Sequence, residues 1–497
     1  MPRSGLSRVL LAGWVLAGSG PATGGEREDD LRARRARVAE ALGPDSLLIL
    51  WSAPEKTYSH DVEYEYRQDS NFYYLSGIDQ QGTILVLMPG NGTRKEILFI
   101  RPRDAEREHW DGRLLTKEEA AARSGIVTVY LSSEFEPFVQ SVLSRRPYDV
   151  PRQGISTEYD AFFKALAAGR ARLALLLQPR AALSEPLGPT QEFAKRVQER
   201  FEGFTVQDAT EIVHNLRQVK TPYERQILER SAEISSQAQL AAMRAARPGI
   251  YEYQVEAVLE QVYKASGAFG PSYPSIVGSG PNATILHYYR STRRMEPGDL
   301  LLVDAAANYE YQTVDITRTY PVGGSFTPEQ RDIYRIVLAA QDAAIPLARA
   351  GARLEDVHLK TVEVVKEGLL KLGLISDSSG DQYRSWYTHG ACHWIGMDVH
   401  DVGDRQRPLQ PGMAFVIEPG IYIRQEALDS LPRTPENDAF IGKVRPAFEK
   451  YKNIGVRIED SFLLTEEGLM NLSAGVPRTL DEIERFMKTR PAPTGMR

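Results

Sequence analysis

M-E-P-G-D-L-L-L-V-D-A-A-A-N-Y-E-Y-Q-T-V-D-I-T-R-T-Y-P, residues 295–321, places two acids inside apolar, strand-like sequence. Asp304 ends an apolar run, and Asp315 lies between two β-branched residues. Because side chains alternate between the two faces of a strand, each carboxylate is directed at a mostly apolar face. An unpaired buried carboxylate is costly, so such acids are hydrogen-bonded, paired with a cation or bound to metal. This stretch alone leaves open a simple ion pair with Arg318.

A second copy of the pattern, L-Q-P-G-M-A-F-V-I-E-P-G-I-Y-I, occupies residues 409–423. In both copies a Pro-Gly pair precedes an acid by seven residues, and the acid of the second copy is Glu418. A further acid follows in each copy, Asp315 in the first and, after a longer connection, Glu459 in the second. The sequences T-P-Y-E and T-P-E-Q upstream of the two copies both predict capping boxes with proline at the first helical position. Two related halves with paired strand acids predict a site at a pseudo-twofold centre.

The beginning of the chain predicts export. Residues 1–25 combine two arginines, an apolar run from Val9 to Ala17 and small residues, which is the pattern of a secretory signal peptide. The mature protein is therefore expected to be secreted or periplasmic, with 58 basic and 66 acidic residues and a net charge of −8. This balance argues against a nucleic-acid partner. No later apolar run is long enough to cross a membrane, and the single cysteine, Cys392, excludes an intramolecular disulfide.

The length of the chain predicts two domains, residues 26–207 and residues 208–490. The first domain alternates helix and strand patterns and is predicted to be α/β, with a hairpin joining Thr83–Leu87 to Glu96–Ile100. The stretch from Tyr58 to Gly77 is dense in aromatic and charged residues. It predicts either a half-buried strand with a surface loop, or a rim contributed to a site or a subunit interface, and we favour the rim. The rim interpretation predicts a homo-oligomer.

Histidines cluster in the second half. His389, His393 and His400 fall within twelve residues, and His287 ends a loop rich in glycine, proline and serine. With the four strand acids, His393 forms a hard, oxygen-rich set that suits divalent manganese or cobalt, with zinc as an alternative. Four clustered carboxylates repel one another unless cations balance them, so we expect a pair of divalent metal ions. Two ions about 3.5–4 Å apart can hold a bridging water and polarise a carbonyl, which suits amide hydrolysis. A thiol nucleophile at Cys392 is the weaker alternative.

Four motifs in the second half resemble the metal-site motifs of the proline-specific metallopeptidases with the pita-bread fold. They are V-D-A-A-A-N-Y with D-I-T-R-T five residues later, H-W-I-G-M-D-V-H-D, I-E-P-G-I-Y and G-V-R-I-E-D. The stretch from Asp61 to Gly77 resembles the amino-terminal domain of aminopeptidase P in the same family. The resemblance covers both domains, from Arg32 to Met487. It implies an α/β (α+β) protein with a carboxy-terminal pita-bread domain and Xaa-Pro aminopeptidase activity.

The resemblance also implies which residues bind the two metal ions. In such a site Asp304 ligates one ion as a bidentate group, Asp315 and Glu459 bridge both ions, and His393 and Glu418 complete the other. A hydroxide that bridges the ions is the nucleophile. Glu418 is the proton acceptor and shuttle.

Four residues take substrate roles by the same resemblance. His400 polarises or hydrogen-bonds the scissile carbonyl, and His287 binds the substrate and stabilises the tetrahedral intermediate. His389 lines the pocket for the proline at the second position, and Arg457 holds a neighbouring carboxylate or the substrate. The expected partners are therefore peptides with proline at the second position.

Two features depart from the usual pattern of the family. Asp304-Ala305-Ala306 stands where the family usually has Asp-x-Gly, so close backbone approach at this point is expected to differ. The connection between Tyr422 and Gly455 is longer than the simplest members need, and it either walls one side of the substrate groove or forms a solvated loop. Three alternative functions remain: a prolidase restricted to dipeptides, a methionine aminopeptidase, which usually lacks the large amino-terminal domain, and a pita-bread binding protein without catalysis.

Overall fold

The computed structural model describes residues 24–149, 157–177 and 184–489 of the chain. Residues 1–23, which hold most of the predicted leader, lie outside the described residues. None of the described helices combines the length and the apolar character that a membrane span requires.

The amino-terminal half is a mixed sheet with helices on both faces. Its helices are α1 (Gly24–Leu42), α2 (Ser70–Ser76), α3 (Ala105–Asp111), α4 (Lys117–Ser124), α5 (Phe135–Leu143), α6 (Asp160–Ala167) and α7 (Pro189–Gln198). Its strands are β1 (Ser46–Trp51), β2 (Thr57–Ser59), β3 (Val62–Glu63), β4 (Ile84–Leu87), β5 (Glu96–Ile100), β6 (Thr128–Leu131), β7 (Ala171–Leu175) and β8 (Phe204–Asp208). The main sheet has the strand order β6-β5-β4-β1-β7-β8, and β1 pairs antiparallel with β4 and parallel with β7.

Strand β1 shows why both faces of this sheet are buried. Leu47 and Ile49 pack into one apolar cluster, while Leu48 and Leu50 pack into another on the opposite face. This alternation is the period of two that a strand imposes on its side chains. Strands β4 and β5 form the predicted antiparallel hairpin, and the α/β class predicted for this half is confirmed.

The aromatic stretch from Tyr58 to Gly77 divides into an exposed hairpin and a buried helix. Every residue of β2 and β3 is exposed. That this hairpin forms a rim of a site or of a subunit interface stays a prediction. Asp69 caps α2 by accepting a hydrogen bond from the Phe72 N–H, and Gly77 ends the helix in the left-handed conformation. The second part of the stretch is therefore a helix whose buried side chains pack against one face of the main sheet, and not the strand or surface loop of the alternative interpretation.

The carboxy-terminal half contains two copies of a helix pair with a small antiparallel sheet. The first copy and the helix before it comprise α8 (Thr210–Arg217), α9 (Pro222–Ala245), α10 (Glu252–Ala265), β9 (Gly270–Pro271), β10 (Ile276–Ser279), β11 (Leu300–Asp304), β12 (Ala307–Tyr309), β13 (Gln312–Thr313) and β14 (Thr317–Pro321). The second comprises α11 (Pro328–Ala344), α12 (Leu354–Leu372), β15 (Ala414–Ile417), β16 (Gly420–Tyr422), α13 (Pro435–Tyr451), β17 (Gly455–Arg457), β18 (Asp460–Thr465), β19 (Gly468–Asn471) and α14 (Leu480–Lys488).

The sequence repeat becomes a structural repeat. Asp304 ends β11 and Glu418 follows β15, while Asp315 and Glu459 lie just before β14 and β18. In each copy these two strands are antiparallel neighbours. The four acids therefore come from equivalent ends of two strand pairs, which is the arrangement that the duplicated pattern predicted.

Both predicted capping boxes are present. At the start of α9 the Thr221 hydroxyl accepts from the Glu224 N–H, and the Glu224 carboxylate accepts from the Thr221 N–H at 3.0 Å. Thr327 and Gln330 repeat the arrangement at the start of α11. Each pair satisfies two backbone donors that the first helical turn leaves without partners. These caps fix where the first helix of each copy begins.

The long connection between Tyr422 and Gly455 is mostly the helix α13. Thr434 caps it, and Phe448 stacks on Trp386 with 6.0 Å between the ring centroids. The buried face repeats at helical spacing and contains Phe440, Ile441, Val444, Phe448 and Tyr451. Of the two alternatives left open for this connection, the solvated loop does not describe this helix, which packs against the main core of the carboxy-terminal half.

The two halves of the chain share an apolar cluster. Met397 and Tyr311 of the second half are buried in the cluster that contains Phe72 of α2 and Leu48 of β1. Helix α8, which the sequence assigns to the second domain, contributes Val213 to the same cluster. The division at residues 207 and 208 stays a prediction, because apolar packing runs continuously across it.

Tyr311 occupies a turn that few residues other than glycine adopt. Its backbone φ is 64°, in the left-handed region, which costs a non-glycine residue on the order of 1 kcal/mol. Its ring stacks on Tyr73 with 3.9 Å between the centroids. Its hydroxyl donates to Asp79 and accepts from the Gln68 N–H, both at 2.8 Å. These contacts hold the turn between β12 and β13, and hence the start of the segment that carries Asp315, against the amino-terminal half.

Candidate metal centre

Three carboxylates surround the Nε2 atom of His393. Asp315 Oδ2 lies 3.7 Å from it, Glu418 Oε1 lies 3.6 Å from it, and Glu459 Oε1 lies 3.8 Å from it. These distances are too long for hydrogen bonds. They are close to the separation of about 3.4 Å between two ligands that are each about 2.1 Å from one tetrahedral ion. Asp315, His393 and Glu459 also offer atoms that all lie within 4.8 Å of one another, so these three have the spacing of ligands on a shared cation, and Glu418 approaches the same imidazole nitrogen.

The tautomer of His393 suits metal binding. Its Nδ1 atom lies 3.1 Å from the carbonyl oxygen of Trp394, so a proton on Nδ1 is donated to that carbonyl and Nε2 keeps its lone pair. Burial, and then the neighbouring His400 ring, lower the pKa of His393 to about 3. The imidazole is therefore neutral at physiological pH, which is the form that ligates metal.

Glu459 gives one carboxylate oxygen to the protein and leaves the other without a donor. Its Oε2 atom accepts from the Thr317 hydroxyl at 2.6 Å. Its Oε1 atom is buried and has no hydrogen-bond partner in the described part of the chain. Burial, and then the charge of Asp304, raise the pKa of Glu459 to about 8. Buried polar atoms are nearly always satisfied, so an orphaned carboxylate oxygen aimed at His393 fits a metal ligand.

Asp304 and Asp315 are linked through Tyr273. The Tyr273 hydroxyl lies 2.7 Å from Asp304 Oδ1 and also contacts Asp315 Oδ1. Burial, followed by the charges of Glu459 and Asp304, raises the pKa of Asp315 well above its usual range. Burial acts in the same direction on Asp304, but the Arg457 guanidinium paired with Oδ2 holds the pKa of Asp304 below its ordinary value. One hydroxyl proton cannot satisfy two carboxylates, so Tyr273 alone does not balance this pair of acids.

Arg457 is occupied by protein groups. Its Nη2 atom pairs with Asp304, Nε donates to Thr317 at 3.1 Å and Nη1 donates to the Tyr422 hydroxyl at 2.8 Å. The side chain is 4% exposed. Of the two roles that the resemblance implied, the structure places Arg457 on a neighbouring carboxylate, where it offsets part of the charge of the acid cluster.

Arg318 lies behind the cluster rather than in it. It pairs with Asp460 at 2.6 Å and donates to the backbone carbonyl oxygens of Glu459 and Thr317. The simple ion pair between Arg318 and the first two strand acids is therefore wrong. Its contacts instead fix the backbone of Glu459 and of Thr317, whose hydroxyl bonds to the Glu459 carboxylate.

Glu418 and His389 form the side of the site next to Tyr422. Glu418 Oε2 lies 3.6 Å from His389 Nδ1, and His389 Nε2 lies 2.8 Å from the Tyr422 hydroxyl. Because Tyr422 accepts from Arg457, it donates to His389 Nε2, while Nδ1 donates to the Gly390 carbonyl. Burial, and then Arg457, lower the pKa of His389 to about 4. Burial and a neighbouring carboxylate raise the pKa of Glu418 well above its usual range.

His400 and His287 lie on the open side of the cluster. The ring of His400 is 4.4 Å from that of His393 and perpendicular to it. His287 is exposed and stacks on Tyr289 with 5.8 Å between the ring centroids. Burial, and then the charge of His287, lower the pKa of His400. The structure thus brings the predicted ligands together on the buried side and places His287 and His400 toward solvent.

Comparisons with known proteins agree with this geometry. Residues 226–466 match the family model described as metallopeptidase family M24, and residues 31–150 match the aminopeptidase P, N-terminal domain. The chain is 35% identical over 468 residues to the Xaa-Pro aminopeptidase of Escherichia coli (strain K12), covering 92% of this chain and 97% of that relative. The chain belongs to the aminopeptidase P family.

Solved structures of aminopeptidase P share the whole fold. The Pseudomonas aeruginosa aminopeptidase PepP matches with a TM-score of 0.77 at 32% identity, covering 93% of this chain and 98% of that chain. Aminopeptidase P from Escherichia coli with the inhibitor Pro-Leu matches with a TM-score of 0.76 at 34% identity, with the same coverage. The predicted family, the fold class with its pita-bread domain and the assignment as a metallopeptidase enzyme are confirmed.

The departure from the aminopeptidase P pattern at Ala306 is accommodated by packing. Ala306 is buried in a small apolar cluster with Val314 and Ile316. Its backbone is not in the positive-φ region that would require glycine. The extra methyl group therefore fills space beside the sheet, and Asp304 remains within the cluster of acids.

Three hydroxyl groups of this aminopeptidase P site were not predicted. Thr317 lies within the quoted motif D-I-T-R-T, and Tyr422 ends the motif I-E-P-G-I-Y. Tyr273 comes from a loop just before β10, the strand that pairs with β11 and sets Ile276 opposite Asp304. Thr317 could have been found by asking which neighbouring hydroxyl satisfies a buried acid. Tyr422 could not be found in this way, because its hydroxyl bonds to Arg457 and His389 and not to an acid. Tyr273 could not, because only the strand pairing brings it near.

The metal-free protein is expected to lose stability between about pH 6.5 and 8. In this window the unfolded chain has released its carboxylate protons, while folded Glu459, whose pKa is about 8, still holds one. A folded state that binds more protons than the unfolded state becomes less stable as the pH rises. The expected slope is about 1 kcal/mol per pH unit. His393, whose pKa is lowered on folding, contributes the opposite slope only below about pH 6.5.

Urea unfolding of chelator-treated protein at pH 6.5 and pH 8 measures this slope. A divalent metal ion that binds only the folded protein should raise the stability and flatten the pH dependence, because it replaces the protons. A stability of the chelated protein that rises over the same window would contradict the assignment of raised carboxyl pKa values.

Proposed function

We propose that this protein is a dimetal Xaa-Pro aminopeptidase that releases the amino-terminal residue preceding proline. The observation that carries the proposal is the convergence of three carboxylate oxygens on His393 Nε2 within 3.8 Å. Membership of the aminopeptidase P family and the name of the Escherichia coli relative, Xaa-Pro aminopeptidase, indicate the substrate class. When bound, divalent ions supply a water molecule of lowered pKa and polarise the scissile carbonyl. Asp304, Asp315, His393, Glu418 and Glu459 would hold the ions.

Glu418 has the geometry of the proton carrier. Its Oε1 atom faces His393, while its Oε2 atom lies on the other side, 3.6 Å from His389. One oxygen can therefore face the metal centre while the other accepts a proton from water and passes it to the nitrogen of the leaving proline. Burial and nearby carboxylates raise the pKa of Glu418. A group that both accepts and releases a proton near neutral pH needs such a raised pKa.

His400 and His287 act on the substrate from the open side. Within the described part of the chain, neither histidine is hydrogen-bonded to a carboxylate of the cluster. Burial and the neighbouring His287 lower the pKa of His400, so it is a neutral N–H donor for the scissile carbonyl oxygen. His287, beside it, donates to the same developing charge and holds the substrate backbone.

Aromatic rings form the proline pocket. The ring of His389 contacts that of Tyr387 edge-on, and the ring of Tyr422 on its other side, both at 5.5 Å between centroids. An Xaa-Pro bond lacks the N–H that most peptidases use, and its geometry is restricted. Recognition must therefore come from packing against the pyrrolidine ring, for which His389 offers surface, while Tyr387 and Tyr422, each 2% exposed, hold the His389 ring in place.

Several finer parts of the proposal concern the protein in the cell. We propose manganese as the metal, with cobalt and zinc as alternatives, because the donor set is rich in oxygen. We also propose a cleaved leader over residues 1–25, a secreted or periplasmic location, domains at 26–207 and 208–490, and a homo-oligomer. Amino-terminal sequencing of the mature protein and its mass in solution test the leader and the oligomer.

Hydrolysis of a matched peptide set tests the activity. Chelated protein should be inactive, and added manganese, cobalt or zinc should restore cleavage of Xaa-Pro-Yaa while Xaa-Ala-Yaa stays intact. Cleavage of the dipeptide Xaa-Pro alone would instead indicate a prolidase. Cleavage of Xaa-Ala-Yaa at a similar rate would remove the proline pocket from the proposal, and no cleavage with any metal would refute the proposed function.

A further inference from the structure

The segment that carries His400 has no helix or strand of its own. Residues 396–410 contain only turns, bends and irregular backbone. The backbone is tied at single points, such as the Asp401 N–H donated to the Trp394 carbonyl at 2.9 Å, and not by a ladder of hydrogen bonds. A side chain that must meet a substrate atom needs a support that holds it within a fraction of an ångström.

A buried ion cluster holds this segment on both sides of His400. Arg217 lies 2.7 Å from Asp398 and also pairs with Asp401, and Lys220 lies 2.8 Å from the second oxygen of Asp401. The side chains of Arg217, Lys220 and Asp401 are at most 1% exposed. We call these four residues the Arg217 cluster. Its two cations balance its two carboxylates, and three of its four charges are shielded from water, while Asp398 is 37% exposed.

The Arg217 cluster is anchored in the amino-terminal half. Arg217 donates to the side chain of Asn71 at 2.7 Å, and the Ser70 hydroxyl donates to Asp398 at 3.0 Å. Both of these partners lie on α2. Arg67, just before this helix, donates to the backbone carbonyl of Met397 at 3.0 Å. The segment with His400 is thus attached to the amino-terminal half by charges, hydrogen bonds and the buried Met397 side chain.

The backbone at Gly396 lies in direct contact with the Arg217 cluster. A Cβ atom on Gly396 would lie 2.2 Å from Asp401 Oδ2 and 2.5 Å from Lys220 Nζ. Any side chain at this position would displace the ion pair. The position of the chain between His393 and His400 is therefore set by direct contact with the Arg217 cluster.

We propose that Arg217 is a positioning residue for His400. By holding Asp398 and Asp401 on either side, it sets the imidazole against the scissile carbonyl, and it makes the amino-terminal half part of the catalytic apparatus. The inference rests on the proposed function, in which His400 acts on the substrate. Arg217 itself touches neither the predicted metal ligands nor, at 1% exposure, the substrate.

Arg217→Lys is the principal variant. It keeps the charge but removes the planar fork that reaches Asn71, Asp398 and Asp401 together. The kcat for Xaa-Pro-Yaa is expected to fall about 10- to 100-fold, as for a small displacement of a catalytic group. The metal content should equal that of the wild type. Asp398→Asn is the second variant, because its partly exposed side chain makes folding less sensitive, and its kcat should fall in the same direction.

Arg34→Lys is the matched control. Arg34 is also buried, pairs with Asp30 and Glu224, and joins α1 to α9 across the same two halves. Among the described residues it also contacts Tyr74 of α2, and no hydrogen bond or ion pair joins it to the segment 396–410. Its replacement should lower the unfolding temperature by a similar amount and leave kcat unchanged.

A double-mutant cycle separates positioning from general stability. In a His400→Ala background, Arg217→Lys should cost less than about a further twofold in kcat, because its effect passes through the missing imidazole. Losses that multiply, or an unchanged kcat in Arg217→Lys, would overturn the inference.

Nuclear magnetic resonance of the imidazoles tests positioning without using activity. The His400 signal, assigned by its loss in His400→Ala, should shift or broaden in Arg217→Lys and stay unchanged in Arg34→Lys. An unchanged signal in Arg217→Lys overturns the inference whether or not the protein hydrolyses peptides. Inactivity of the wild type with every metal would instead refute the proposed function and leave this signal to decide on the positioning.

Discussion

Asp315→Ala is expected to lower kcat/KM for Xaa-Pro-Yaa by about 1,000-fold or more. Asp315 directs one oxygen toward His393 and the other toward Tyr273 and Asp304, so it lies between the two sides of the acid cluster. Its loss should release metal, and metal ions supply several kcal/mol of transition-state stabilisation, with each 1.4 kcal/mol worth about tenfold in rate. Peptide hydrolysis and metal content, measured on the same preparation, check the result.

The control for Asp315→Ala is Asp438→Ala, which removes a carboxylate from the exposed side of α13. It should leave both the rate and the metal content unchanged. Full activity of metal-depleted Asp315→Ala would show that the reaction does not depend on the acid cluster.

His400→Ala is expected to lower kcat by about 100- to 1,000-fold while the protein keeps its metal. Removal of one donor to a developing oxyanion has an effect of this size. The rings of His400 and His393 meet edge to face, and within the described residues no hydrogen bond joins His400 to the carboxylates, so ligand geometry should survive. Turnover and bound metal are the two quantities to compare.

The control for His400→Ala is His109→Ala, on the exposed helix α3. It should match the wild type in both quantities. If His400→Ala lost metal in proportion to activity, His400 would be a ligand or a structural residue and not a donor to the substrate.

The sequence revealed the acids of the site because they interrupt apolar runs. Charged residues in buried strands are rare unless they have a partner, so Asp304 and Glu418 stand out without any knowledge of the fold. The repeated Pro-Gly spacing then paired them. The symmetry of the two copies, which the structure contains, predicted that the strand acids meet at one centre, and three of them, Asp315, Glu418 and Glu459, converge on His393.

The roles of the arginines could not be read from the sequence. Arg318 follows Asp315 by three residues, and Arg457 precedes Glu459 by two, so both appear able to pair with an acid. Which face each side chain occupies depends on the register of its strand against its neighbours. In the structure Arg318 points to Asp460, and Arg457 reaches Asp304 from the other copy.

The α13 helix, in contrast, had a signal in the sequence. Thr434 followed by P-E-N-D is a helix start, with a capping residue, proline and acids in the first turn. The apolar residues that follow have helical spacing. The two alternatives considered for this connection, a groove wall and a solvated loop, rested on its length alone and did not use this periodicity.

The burial of Tyr311 and Met397 in the amino-terminal core determines how the protein denatures. Each side chain belongs to one half by sequence and to the other by packing, so neither half can lose its fold without exposing part of the other's interior. Heating should therefore produce one calorimetric transition instead of two. The peptidase half cannot be treated as an independent module, because excision at residue 208 would remove the surroundings that keep the Tyr311 turn, and the acid four residues beyond it, in place.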